Sequence, residues 1–159
     1  MKYILTVIIT FAVMIGGAFV KAPPEPKPKQ EEGHGAYYQL TTEEFNEVCS
    51  VVMAESGGEP YKGQQAVAQC ILNACLIGKI RPFEAIKANG YTKKRPTPTE
   101  SVKQAVMSVF TDGLKVVTDR TTMFYSPANM KNGVSKWHES QIYVCTIGGH
   151  RFFEERGTL

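Results

Sequence analysis

The segment that most limits how this chain can fold is Lys62 to Ile77. Ala66, Val67, Cys70, Ile71, Ala74 and Cys75 form an apolar stripe at helical spacing that is wider than a surface helix needs. A helix with so broad a stripe has to be covered by other elements, and Ala66, Ala68 and Ala74 let those neighbours approach closely. The spacing therefore predicts a helix over 62–77 with a wide buried stripe, stopped by Gly78.

A second helix precedes it. Thr41 and Glu44 match a capping box, so the helix starts at Thr41 or Thr42. Phe45, Val48, Cys49 and Val52 follow at i, i+3, i+4 and i+7, and Gly57-Gly58 stops it. Pro82 to Ala88 reads as a short helix with Pro at its first turn, followed by an Asn89-Gly90 turn. Residues 93–98 read as a polar loop. Another helix starts near Thr99, with Val102, Ala105, Val106, Val109 and Phe110 on one face, and ends at Asp112-Gly113. The last third changes character. Met123 to Tyr125 and Ile142 to Ile147 are short aromatic and β-branched runs, predicted to form a small antiparallel pair. The expected class is α+β, mostly helical, with a small β element near the C-terminus.

The N-terminal part reads differently. Lys2 precedes residues 3–20, which carry no charge, and Val20-Lys21-Ala22 offers a small-residue cleavage site. Residues 1–22 are thus a signal peptide or a retained membrane anchor, and either places the remainder outside the cytoplasm. Residues 23–38 form a linker in which Pro23, Pro24, Pro26 and Pro28 alternate with charges, favouring extended polyproline II. The folded domain is assigned to 39–159. Lys2 and Lys21 supply two of the +3 formal charges, so the domain has no basic footprint for nucleic acid.

Glu55 lies three residues beyond Val52 and so continues the apolar face at the end of its helix. It should face the core or a cleft. There the charged form is disfavoured by burial and by the helix dipole, which suits a proton donor. The plainer reading is a helix-end glutamate in a salt bridge. Glu59 lies beyond Gly57-Gly58, next to Pro60. Its plainer reading is a carboxylate accepting amide hydrogen bonds at the start of the next helix.

Beyond these local signals, Glu55-Ser-Gly-Gly-Glu-Pro-Tyr-Lys-Gly-Gln-Gln-Ala-Val-Ala followed by Leu72-Asn73 resembles the signature of SleB-type cell-wall hydrolases, the spore cortex-lytic family. That signature is roughly E-A/S-x-G-E-P-x-x-G-Q-x-A-V-A, then L-N-R. Ala88-Asn-Gly-Tyr-Thr92, Thr122-Met-Phe-Tyr-Ser-Pro-Ala128, Ser135-Lys-Trp137 and Thr146-Ile-Gly-Gly-His-Arg-Phe152 resemble its later elements in order. The resemblance runs from about Leu40 to Phe153 and departs at Ala74, where the family has Arg.

The resemblance implies a lysozyme-like catalytic domain with Glu55 as the catalytic acid, acting on peptidoglycan with no cofactor and no metal. The implied reaction cuts the β-1,4 bond between N-acetylmuramic acid and N-acetylglucosamine and leaves a 1,6-anhydro end. A lone acid fits that outcome, because hydrolytic glycosidases use two carboxylates at defined separations. The alternatives are a hydrolase pairing Glu55 with a second carboxylate, and an amidase. Tyr91, Thr92, Tyr125 and His150 are the candidate substrate-binding residues: Tyr91 and Thr92 lining the cleft, Tyr125 donating to a sugar, His150 orienting Glu55 or the substrate. Trp137 reads as a packing residue that would suit a glycan groove if exposed.

Other chemistries fit less well. The histidines are His34, His138 and His150, with no H-E-x-x-H, which is poor for a zinc site. Cys49 lies mid-helix and Cys70 and Cys75 lie on the buried stripe, which is poor placement for a nucleophilic thiol. Cys49, Cys70, Cys75 and Cys145 are either disulfide-bonded or buried thiols. A non-enzymatic glycan-binding module would keep Trp137 and Tyr125 and would not require Glu55.

Overall fold

The computed structural model describes residues 37–157. The signal or anchor reading of residues 1–22 and nearly all of the linker lie outside the described residues. Among those described, no helix is long and apolar enough to cross a membrane.

Among the described residues, five α-helices and a three-stranded sheet surround one core. In chain order they are α1 (Thr42–Ser56), α2 (Tyr61–Gly78), α3 (Pro82–Ala88), α4 (Glu100–Phe110), β1 (Thr121–Tyr125), the short α5 (Lys136–Glu139), β2 (Ile142–Ile147) and β3 (His150–Glu154). Helix α1 starts as expected: the Thr41 hydroxyl accepts the Glu44 amide and the Glu44 carboxylate accepts the Thr41 amide. Thr99 caps α4 in the same way by accepting the Val102 amide.

Helix α2 is the centre, packed against α1, α3, α4 and β1. It is buried without a break from Gly63 to Cys75, polar face included. That face is satisfied by side-chain bonds to backbone. Gln69 Oε1 accepts the Val116 and Val117 amides at 2.6 and 2.9 Å, and its Nε2 donates to the Val117 carbonyl at 2.9 Å. Asn73 Nδ2 donates to the carbonyls of Thr118 and Thr121 at 2.9 and 2.7 Å. Buried polar groups need such partners. Here they pin the irregular segment that leads into β1. Gly78 is the last helical residue, and the left-handed turn falls on Lys79, at φ 51°.

Two boundaries differ from the sequence reading. Tyr37 and Tyr38 were placed in the linker, yet their amides donate to the carbonyls of Thr111 and Phe110, and the Tyr38 ring meets Phe110 edge-on at 5.6 Å. Tyr37 and Tyr38 therefore pack with the helical core. The two foreseen strands also do not pair with each other. The sheet order is β1-β3-β2, antiparallel throughout, with β3 between them. Strand β3 follows directly on Gly148-Gly149, whose turn lets the chain reverse after β2.

Candidate active site

Glu55 reaches the site from the last turn of α1, which closes where Ser56 Oγ donates back to the Val52 carbonyl at 2.9 Å. Its carboxylate is half-buried in a cavity of about 430 Å3. Three chain segments wall that cavity. The turn after α3 supplies Asn89, Gly90 and Tyr91; β1 supplies Thr122, Met123 and Phe124; α5 supplies Trp137 and His138. The Thr92 amide donates to Glu55 Oε1 at 2.8 Å, which fixes the carboxylate against the first wall.

Three consecutive β1 residues line one cavity, although side chains alternate along a regular strand. The β1–β3 register is irregular between Thr121 and Met123, at the start of this wall, and regular from Met123 onward. Phe124 anchors this wall, with its ring 5.9 Å from Tyr91, 5.4 Å from His150 and 5.8 Å from Phe152.

Tyr91 lines the Glu55 cavity, and Thr92 meets Glu55 through its backbone amide. The Tyr91 hydroxyl is buried without a hydrogen-bond partner, and burial pushes its pKa well up. It is a neutral phenol. Trp137 is 58% exposed at the rim, so it is free to meet a ligand and is not a packing residue.

Tyr125 and His150 sit elsewhere. Tyr125 is buried on the opposite face of β1, its ring stacked on Phe153 at 5.7 Å and its hydroxyl donating to Glu139. Arg151 holds the same carboxylate with two bonds, at 2.9 and 3.1 Å, and keeps it below the usual carboxylate range. Tyr125 and Arg151 thus attach α5 to the sheet and set where Trp137 and His138 stand. His150 is buried behind Phe124, with Nδ1 3.3 Å from Glu59 Oε1, close enough for an ion pair but not aligned as a hydrogen bond. It faces Glu59, not Glu55.

Glu59 is an amide acceptor, though not of its own helix. Its Oε2 accepts the Gly149 amide at 2.6 Å. The β2–β3 turn hugs this carboxylate so closely that a Cβ on Gly148, at φ 57°, would lie 2.0 Å from Oε2. Glu59 is therefore held by the sheet and does not line the Glu55 cavity. The carboxylate that does is Glu155, just past β3.

His138, Phe124 and Glu155 were not singled out from sequence. His138 could have been found from its place beside Trp137. Its Nδ1 lies 2.6 Å from Ser135 Oγ, and burial lowers its pKa. Nothing local in the sequence marks Glu155.

Among the described residues no group of three or more His, Cys, Asp or Glu could hold a metal ion. All four cysteines are free thiols. Burial pushes Cys49 up to about 12 and Cys75 up to about 11, and raises Cys70 and Cys145. None of them is an activated nucleophile.

No family model matches the chain. Two curated spore cortex-lytic enzymes of Bacillus cereus are 30% identical to it over 139 residues, 80% of this chain and 51% of theirs. The chain therefore spans about half the length of the curated relatives it matches. The solved catalytic domain of the germination-specific lytic transglycosylase SleB from Bacillus anthracis matches 72% of this chain and 97% of its own, at 27% identity and a TM-score of 0.58. The catalytic domain of the Bacillus cereus SleB protein matches 77% and 99%, at 26% identity and a TM-score of 0.57. The mostly helical, lysozyme-like α+β class expected from sequence is the class observed. Related in sequence to the spore cortex-lytic enzymes and in fold to two SleB catalytic domains, the chain belongs to the SleB-type family of cell-wall hydrolases.

Proposed function

We propose that this protein is a peptidoglycan lytic transglycosylase that cuts the glycan strand between N-acetylmuramic acid and N-acetylglucosamine, with Glu55 as acid and then base. The observation that carries the reading is the placement of Glu55: a carboxylate at a helix end, half-buried in a cleft with aromatic walls, with one oxygen held by the Thr92 amide. An N–H donor occupies a lone pair on Oε1, so Oε2 is left to carry the transferable proton. Glu55 delivers that proton to the glycosidic oxygen and departs as a carboxylate. It then takes the proton of the muramic C6 hydroxyl, whose oxygen closes onto C1. That attack is intramolecular and gains from high effective concentration. Tyr91, Phe124 and Trp137 offer ring faces to the sugars.

Tyr125 and His150 act indirectly in this reading, the first by placing α5, the second by backing Phe124. The site works outside the cytoplasm, where its polymer lies, and residues 3–20 deliver the domain there as a leader or hold it at the membrane.

One observation favours a second reading, hydrolysis. Glu155 lines the same cavity and could serve as a base for water. Product analysis separates the two. Transglycosylation gives 1,6-anhydromuramic ends that resist borohydride, and hydrolysis gives ends that are reduced. Glu55→Gln should lower activity on purified peptidoglycan by roughly 10²–10⁴-fold while the protein stays folded. Lysis within twofold of wild type would remove Glu55 from the mechanism.

A further inference from the structure

Residues 93–98, the polar loop, carry no helix or strand. Side-chain bonds therefore decide where this backbone lies, and Arg95 makes most of them. Its Nε and Nη2 donate to Glu47 Oε1 on α1 at 2.8 and 2.6 Å. Its Nη1 turns back on its own segment and donates to the Thr92 carbonyl at 2.6 Å and the Lys94 carbonyl at 2.8 Å. Every guanidinium nitrogen is thus engaged, in a fork that a lysine cannot reproduce. The plain reading is a surface ion pair. The Arg95 and Glu47 side chains are 34% and 21% exposed, and such pairs contribute little to stability.

A surface pair has no need of the two carbonyls. Thr92 gives them a second meaning. Its carbonyl is held by Arg95, and its amide donates to Glu55 Oε1 at 2.8 Å. The planes of that amide and that carbonyl are joined by the φ and ψ of a single residue, so holding one restrains the other. Thr92 Oγ1 also accepts the Lys94 amide at 3.2 Å, and Pro96 favours an extended Arg95 backbone. Glu47 and Glu55 lie on the same helix, about 12 Å apart along its axis. The path from Glu47 through Arg95 and Thr92 to Glu55 therefore leaves α1 in its middle and returns to it at its end. Neither Glu47 nor Arg95 lines the Glu55 cavity.

We propose that Arg95, braced by Glu47, is a positioning residue for Glu55: it sets the Thr92 peptide so that its amide holds Oε1 and leaves Oε2 to the cleft. The effect on rate rests on the function proposed above; the clamp itself does not. Without Arg95 the 92–95 backbone is free to turn, the Thr92 amide leaves, and the Glu55 carboxylate swings. The sugar-binding walls stay as they are. The loss therefore falls on the chemical step and not on binding.

Two measurements on the full chain test this. The first follows kcat and KM on soluble glycan strands. Arg95→Gln should lower kcat roughly tenfold with KM unchanged, because a small misplacement of a reacting group is costly. Arg95→Lys should fall nearly as far, since an ammonium cannot bond Glu47 and both carbonyls together. Glu47→Gln keeps an acceptor oxygen for Arg95 and should retain most of the rate, whereas Glu47→Ala should not. The second measurement needs no catalysis. In NMR, the Thr92 amide signal should move with pH as Glu55 changes its protonation state, and that step should vanish in Glu55→Gln. In Arg95→Gln and Arg95→Lys it should be largely lost, while the urea midpoint barely moves. A wild-type Thr92 amide that does not follow Glu55, or a step of full size in both Arg95 variants, overturns the proposal whatever the rates. A step lost with Arg95 in a protein that does not cut glycan, or whose rate is unaffected, supports the clamp and refutes Glu55 as the acid.

Discussion

Gly148→Ala tests whether the Glu59 clasp holds the sheet against the helices. Two costs follow from the geometry. At φ 57°, an alanine pays roughly 1–2 kcal/mol for the left-handed conformation. The added Cβ would also lie 2.0 Å from Glu59 Oε2, which must swing away and release the Gly149 amide. A hydrogen bond to a charged group contributes about 1.5–3 kcal/mol, so the total is roughly 2.5–5 kcal/mol. Gly133→Ala is the matched control, since Gly133 has φ 69° and nothing within 4 Å of its would-be Cβ. It should cost only the conformational part. Urea or thermal unfolding at neutral pH gives both values, with roughly 4 °C expected per kcal/mol for a domain of this size. A double-mutant cycle then isolates the contact. In a Glu59→Ala background, Gly148→Ala should fall most of the way to the Gly133 value, with Pro60 Cδ at 2.9 Å accounting for a residue. Equal costs for the two glycine substitutions, or no coupling to Glu59, would refute the clasp.

Lys79→Gly should stabilise the domain by about 1 kcal/mol, because Lys79 holds the left-handed position after α2; a lower urea midpoint would contradict this. Gln69→Leu should destabilise it by roughly 3 kcal/mol or more, since two buried amides and a carbonyl lose their partner; a near-neutral result would mean that the 116–121 segment is held by other means. The Arg81 guanidinium holds the Glu44 carboxyl below its ordinary range, with the Thr41 amide helping and burial opposing. That contribution is complete above the unfolded glutamate pKa of about 4.3 and is lost as pH falls through the lower folded value. Glu44→Gln should therefore flatten the acid limb of the stability curve, and an unchanged limb would count against the pair.

The parts of this fold readable from sequence were those fixed within a few residues of themselves. The Thr41–Glu44 box, the Thr99 cap, Pro82 and the apolar stripe of α2 each act locally, and each sits where its chemistry requires. What escaped depends on distant partners. Gln69 and Asn73 look like a solvated face until the 116–121 segment is known to lie across them. The β1–β3 pairing joins residues some thirty apart, and no periodicity within either strand announces it. Tyr125 was named from its motif, and it is the neighbouring Phe124 that lines the Glu55 cavity. Which β1 side chains face the cleft is settled by the packing of β1 against β3 and α2, which the strand's own residues do not announce. Glu55 was legible because its helix, its stop and its place on the apolar face lie within one turn of each other. Glu155 was not, because only the folded sheet carries it to the same cavity.

The β1-β3-β2 order has a consequence for when this protein becomes functional during its own synthesis. Strand β1 emerges from the ribosome without a strand to pair with, and it stays so through α5 and β2, because among the described strands it pairs only with β3. Helices α1 to α4 can assemble before then, and the Glu55–Thr92 contact with them. The cleft wall of Thr122, Met123 and Phe124 cannot be set until His150–Glu154 arrives and slots between the two waiting strands. A nascent chain thus carries Glu55 early but the β1 wall of its cleft late. On the activity proposed above, completion of β3 marks the point at which the chain first has the site to act on peptidoglycan.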